Sequence, residues 1–207
     1  MGGKDPAAAW QGIGQHLATS GQREMFELDV LRIWAGGDSV SAAAALDKRA
    51  GETQHFPLLG PAFGVVGAGL ARTGIARATK WANSQPAGPV QSSAVGSAVA
   101  TWFERDPAAA ADWLNGLPPG PGRDAGALAL VQAAGPGQPQ TAVNWPVSLS
   151  DPAMRTTIVS QTASRWLIAE PEKADAWMPA SADLTEEEKE TILRISRLAR
   201  PLAAGSR

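Results

Sequence analysis

Asp106-Pro107-Ala108-Ala109-Ala110-Ala111-Asp112-Trp113-Leu114-Asn115 carries the start, the inner face and the stop of one short helix. An Asp at the cap accepts backbone N–H bonds, and Pro at the first helical position loses no hydrogen bond there. Ala110 and Trp113 follow the cap by four and seven residues, a spacing that puts both on one helix face. The small residue permits close approach of a neighbouring helix, and the indole fills the wider gap beside it. Asn115 tolerates the left-handed conformation that ends many helices, and Pro118, Gly120 and Pro121 keep the helix from continuing.

The unit recurs. Trp81, Trp113, Trp145 and Trp177 stand 32 residues apart, and the same offset aligns Ala78, Ala110, Ala142 and Ala174, then Pro107, Pro139 and Pro171. Trp81-Ala82-Asn83 matches Trp113-Leu114-Asn115, while Pro86, Gly88 and Pro89 match Pro118, Gly120 and Pro121. Several residue types agreeing on one period define an internal repeat. A second helix in each unit repeats too: Phe63, Val95, Ala127 and Val159 share one position, and Leu70, Trp102, Ala134 and Trp166 share another seven residues on.

Extended backwards, the register finds Asp38 with Ala42 and Ala45, and before it Asp5-Pro6 with Ala9, at steps of 36 and 33. First helices are therefore predicted to start near Asp5, Asp38, Gly74, Asp106, Gln138 and Glu170. The last second helix has its own start in the capping box Thr185-Glu186-Glu187-Glu188. Its Ile192, Leu193 and Ile195 face inward on this reading, and Glu187, Lys189, Glu190, Arg194 and Arg197 form a solvated outer face that closes the array. The amino-terminal pair, off the main period, is expected to be more dispensable than this final helix. No stretch of period two predicts a strand. The predicted fold is all-α, an α-solenoid of about six helix pairs forming a single domain over residues 1–207.

The pattern Trp-x-x-x-Asp-Pro-x-x-Ala-x-x-x-Trp at Trp102 to Trp113, repeated with Glu170-Pro171 at Trp166 to Trp177, resembles the Ala-rich helical repeats of large bacterial proteins. These are similar in architecture to tetratricopeptide and HEAT arrays. The Leu-Gly pair and the Tyr of the tetratricopeptide unit are missing. The resemblance implies a solenoid and, by analogy of fold, partner binding; it carries no catalytic residue across.

Composition narrows the function. Eighteen basic residues against twenty acidic ones, net charge -2, give no basic run to follow a phosphate backbone, so no nucleic-acid partner is predicted. Cys and Tyr are absent, which removes disulfides and thiolate chemistry. The most apolar stretch, Phe56 to Leu70, is broken by Pro57, Gly60, Pro61, Gly64, Gly67 and Gly69, and no membrane span is predicted. Glycines in such a helix cost roughly 1 kcal/mol each relative to Ala, so close helix packing is expected to compensate; a hinge or partner contact is the alternative. No secretory signal is visible at the start of the chain, where Met1-Gly2-Gly3 could stand in place of one.

Weak candidates for binding are the register indoles Trp81, Trp113, Trp145 and Trp177 and the arginines Arg123 and Arg155, which share one repeat position. A row of indoles could present rings to a peptide or sugar; packing between layers is the competing expectation, favoured by the small Ala on the same face. The arginines could grip carboxylates, against solvation at the surface or local pairing with Asp124 and Asp151. Neither His16 nor His55 has an Asp or Glu partner of the i, i+4 kind, so no metal site is predicted. No Gly-x-Ser-x-Gly elbow occurs, and no catalytic residue or cofactor is assigned. The sequence therefore predicts a non-enzymatic scaffold that binds protein or peptide. The alternative is an all-helical enzyme or carbohydrate-binding domain with a cleft between repeats, which needs at least two converging carboxylates or a His-carboxylate pair.

Overall fold

Aspartate caps mark the start of several helices in the computed structural model of the chain. The structure describes residues 5–16, 20–52, 59–134, 142–143, 145, 149–181 and 184–204. The predicted start at Gln138, together with His55, Phe56 and Pro57, lies outside them. Among the described residues the chain is all-helical and has no strand. In chain order the helices are α1 (Pro6–His16), α2 (Ser20–Gly37), α3 (Ser39–Glu52), α4 (Leu59–Thr73), α5 (Ile75–Asn83), α6 (Pro89–Phe103), α7 (Pro107–Asn115), α8 (Pro121–Ala134), α9 (Pro152–Ala169), α10 (Pro171–Ala180) and α11 (Glu186–Ala204).

Asp106 accepts from the Ala109 amide at 3.0 Å, and Asp38 from the Ser41 amide at 3.0 Å. Asp151 accepts from the amides of Ala153 and Met154 at 2.9 and 3.1 Å. Each carboxylate satisfies donors that the first turn leaves free. The helix ends correct the sequence reading. Asn83 and Asn115 are the last residues of α5 and α7, but no residue other than glycine has positive φ among those described. The left-handed backbone falls instead at Gly88 (φ 121°) and Gly120 (φ 148°), immediately before α6 and α8, where a side chain would be strained.

Contacts divide the chain into two compact units, residues 1–126 and 127–207, with the division inside α8. In the first, the longer helices α2, α4 and α6 pack side by side, α4 against α6 most extensively. The shorter helices bridge them: α3 touches α2 and α4, α5 touches α4 and α6, and α7 leans on α6. Phe63, Val66, Leu70, Val95 and Val99 are buried within this layer.

Glycine makes the close approach possible. A β-carbon at Gly67 would stand 2.7 Å from the Ala94 carbonyl oxygen, and one at Gly69 2.7 Å from that of Ala35. At Gly64 it would meet the Ser97 hydroxyl at 2.8 Å. The apolar stretch is thus a packing surface on both sides of α4, with α6 on one side and α2 on the other.

In the second unit α9 packs against α10 and α11. Val159, Ala163, Trp166, Leu167, Ala174, Met178 and Ile192 form its core with Val143 and Leu184.

Candidate functional site

The register alanines and tryptophans divide the work of packing. Ala78, Ala110, Ala142 and Ala174 are all buried, whereas Trp81, Trp113, Trp145 and Trp177 are each half-buried. The indoles are therefore neither a bare ladder nor a closed core. Trp113 lies against Trp102, centroids 6.0 Å apart and tilted by 39°, and Trp177 against Trp166 at 5.4 Å and 52°. One repeat before Trp102 the same position holds Leu70, and there Trp81 stacks flat on Phe63 instead, at 5.3 Å and 11°. Of these second-helix aromatics, Phe63 and Trp166 are fully buried.

The indole nitrogens have different fates. That of Trp81 donates to Asp47 Oδ2 at 2.9 Å, and that of Trp166 to Glu170 Oε2 at 3.0 Å. The Trp113 nitrogen is buried with no hydrogen-bond partner among the described residues. Glu170 also accepts from Lys173 at 2.9 Å, and this contact, with the Trp166 bond, holds its carboxyl below the ordinary range.

Arg155 is spoken for. Its Nε and Nη2 reach Glu188 Oε1 and Oε2 at 3.2 and 3.3 Å, and Glu188 is buried. Asp151, expected as the local partner, caps α9. Arg123 is half-buried, with a buried Nε that lacks a partner among the described residues. In the first unit another buried carboxylate, Glu27, pairs with the half-buried Arg49 at 2.6 Å, which sequence spacing could not reveal because the partners sit on different helices. Burial pushes the Glu27 carboxyl above its ordinary range against the pull of Arg49.

Among the described residues of the first unit, two grooves bear on the repeat. One, of about 390 Å³, is lined by Asp47, Ala50, Gly51, Leu59, Phe63, Ser84, Gln85, Pro86 and Val90. The other, of about 440 Å³, is lined chiefly by Asn83, Gln91, Val95, Gly116, Leu117, Pro118, Gly122 and Arg123. Adding 32 to Gly51, Leu59, Phe63, Ser84, Gln85, Pro86 and Val90 gives Asn83, Gln91, Val95, Gly116, Leu117, Pro118 and Gly122, all of them lining residues of the second groove. The repeat thus reproduces a concavity as well as helices. Phe63 and Val95 take equivalent places, as do Pro86 and Pro118 in the loop. The charged lining differs: Asp47 in one, Arg123 in the other.

Sequence reasoning aligned Pro86 with Pro118 and Phe63 with Val95 but could not see that loop and helix enclose a space. A third hollow, about 610 Å³, runs along α11 and is lined by Glu187, Glu190, Thr191, Leu193, Arg194 and Arg197. All six belong to one helix. No group of three or more His, Asp or Glu poised to hold a metal ion occurs among the described residues. The His16 side chain and His55 lie outside them. No described helix is long and apolar enough to cross a membrane. The chain matches no protein-family model, no curated protein and no solved structure.

Proposed function

We propose that the chain is a non-enzymatic helical-repeat module, an α-solenoid of helix pairs, that binds an extended protein or peptide segment along its repeated grooves. The observation that carries this reading is the equivalence of the two grooves at a 32-residue offset. Repeat proteins present such regular surfaces to long ligands. Neighbouring packed helices lie about 8–10 Å apart, which three residues of extended chain span at about 3.3 Å each. A bound segment in the polyproline II conformation, with three residues per turn at about 3.1 Å each, would accordingly turn every third side chain into a groove. Asp47 favours a basic residue in the first, and Arg123 an acidic one in the second. The competing reading, a cleft enzyme acting on carbohydrate, needs two converging carboxylates; each of these grooves is lined by a single charged residue.

The test is selection from a displayed library of random peptides, followed by NMR mapping. Selected peptides should carry a basic and an acidic residue three apart and shift resonances at Phe63 and Val95. Asp47→Lys and Arg123→Glu should each weaken binding about tenfold or more, as the loss of a charge-assisted contact does. Peptides that bind elsewhere, or ignore both changes, would overturn the reading.

A further inference from the structure

The outer face of α2 is unlike the other faces of the first layer. α4 has a long helix on each side, α2 at Gly69 and α6 at Gly67. α2 has α4 on the side of Leu31 and Ala35, both buried. On its opposite side Met25, Phe26 and Ile33 stand 59%, 45% and 71% exposed. They are three of the six large apolar side chains exposed among the described residues.

The face also has a period. Gln22, Met25, Asp29, Arg32 and Gly36 follow one another at steps of three, four, three and four, the spacing of a seam along which two helices pack. Phe26 and Ile33 flank that seam. At its centre Asp29 and Arg32 pair with each other at 3.2 Å while remaining 61% and 63% exposed. Above Gly36 nothing lies within 4 Å of an added β-carbon.

We propose that this face is a self-association surface on which α2 packs antiparallel against α2 of a second copy about a two-fold axis midway between Asp29 and Arg32. The charges select that arrangement. In a parallel pair Asp29 would face its own copy and Arg32 its own, which is repulsive. In the antiparallel pair Asp29 faces the partner's Arg32 twice, and Met25 lies over the open space at the partner's Gly36 twice, so one patch complements itself. The contact continues the stacking of α2 on α4 by one further helix. A single 18-residue helix face about 27 Å long falls at the small end of specific interfaces, below roughly 1,200 Å² in total. The dimer is therefore weak, forming in the micromolar-to-millimolar range.

Sedimentation equilibrium over that range tests the proposal. The wild-type chain should pass from monomer to dimer. Asp29→Lys makes the seam wholly basic and Arg32→Glu makes it wholly acidic, so each variant alone should stay monomeric. An equimolar mixture of the two should form a one-to-one heterodimer, a rescue that no general loss of stability could mimic. Both residues are exposed, so circular dichroism should remain that of the parent; Ile33→Glu, at a third exposed position, should abolish the dimer as well. Because the chain has no cysteine, Met25→Cys and Gly36→Cys chains can be mixed and oxidised, and they should crosslink to each other rather than to themselves. A wild-type chain that stays monomeric to millimolar concentration, self-association that survives Asp29→Lys, or a mixture that fails to pair would each overturn it.

Discussion

The Arg155 guanidinium meets the Glu188 carboxylate with two bonds, Nε to Oε1 at 3.2 Å and Nη2 to Oε2 at 3.3 Å, joining α9 to the first turn of α11. Glu188 also accepts from the Thr185 amide at 2.9 Å, while its own amide donates to the Thr185 hydroxyl at 3.2 Å. One buried carboxylate closes the capping box and anchors the helix to its neighbour.

Arg155→Ala should therefore leave Glu188 buried with only its cap partners. A loss of about 2 to 4 kcal/mol is expected, as for a buried pair broken on one side. Glu188→Gln, which keeps the size and can still accept from Thr185, should cost less. Urea unfolding of both variants checks the order, and a loss under about 1 kcal/mol for Arg155→Ala would return the arginine to the surface role that its sequence position left open.

Glycine to alanine inside a helix ordinarily stabilises by roughly 0.5–1 kcal/mol. Gly12→Ala in α1, with nothing within 4 Å of the new β-carbon, should follow that rule. Gly67→Ala should reverse it, because the β-carbon would meet backbone of α6 at 2.7 Å and force the helices apart at a cost of about 1–3 kcal/mol. Thermal melts that move both variants in the same direction would contradict the packing described here.

Those two glycines show what could be read from the chain alone. Asp38 and Asp106 announced helix starts because a cap is a local event between residues two or three apart; Asp151, read only as a partner for Arg155, caps α9 by the same local chemistry. The expectation that Gly64, Gly67 and Gly69 permit close packing followed from their local cost. Which helix they admit did not, since Ala94 and Ala35 reach them through tertiary contact. The pairs Glu27 with Arg49 and Arg155 with Glu188 were illegible for the same reason. The grooves lay half in view: their lining residues were aligned by the 32-residue offset, but a concavity is a property of surfaces, not of spacing.

Were Trp113 a fully buried core residue, Trp113→Ala would cost roughly 3 to 5 kcal/mol. Half-burial and the tilted contact with Trp102 reduce that to about 2 kcal/mol, including about 1 for the aromatic pair. A double-mutant cycle with Trp102→Leu measures the pair directly, and a coupling near zero would show that the rings are neighbours without attraction.

Two carboxylates should respond to pH in opposite senses. The Ser41 hydrogen bonds hold Asp38 below its ordinary value near 3.8, so its stabilisation is present above that pH and disappears as pH falls through the lowered value. Burial raises Glu27 above its ordinary value near 4.5, so stability is fully present below 4.5 and declines as pH rises through the raised value. Urea unfolding across the acid range should show Asp38→Asn losing its disadvantage at the lowest pH. The margin of wild type over Glu27→Gln should shrink as pH rises above 4.5; a constant margin would mean that Arg49 keeps Glu27 ionised throughout.

The two ends of the chain should tolerate truncation unequally, and the structure moves one boundary of that expectation. α11 supplies Ile192, fully buried, to the core of the second unit, and the Ser164 hydroxyl donates to the Ile192 carbonyl at 3.4 Å. Ending the chain at Ser181 would strip cover from Val159, Ala163 and Trp166 and leave Arg155 without Glu188. That form should melt far below the parent or aggregate. From sequence, loss of residues 1–35 was expected to do less, but α2 buries Glu27, Val30, Leu31, Trp34 and Ala35, and Ala35 is the surface on which Gly69 packs. The dispensable segment is thus α1 alone, which touches α2 and buries only Ile13 among its described side chains. Chains beginning at residue 20 should melt within a few degrees of the parent, in keeping with a loss of about 1 kcal/mol, whereas chains beginning at residue 36 should lose cooperative unfolding in the first unit. Melts of the three truncations decide the order, and a chain starting at residue 36 that equals the one starting at residue 20 would show that α2 packs on α4 without stabilising it.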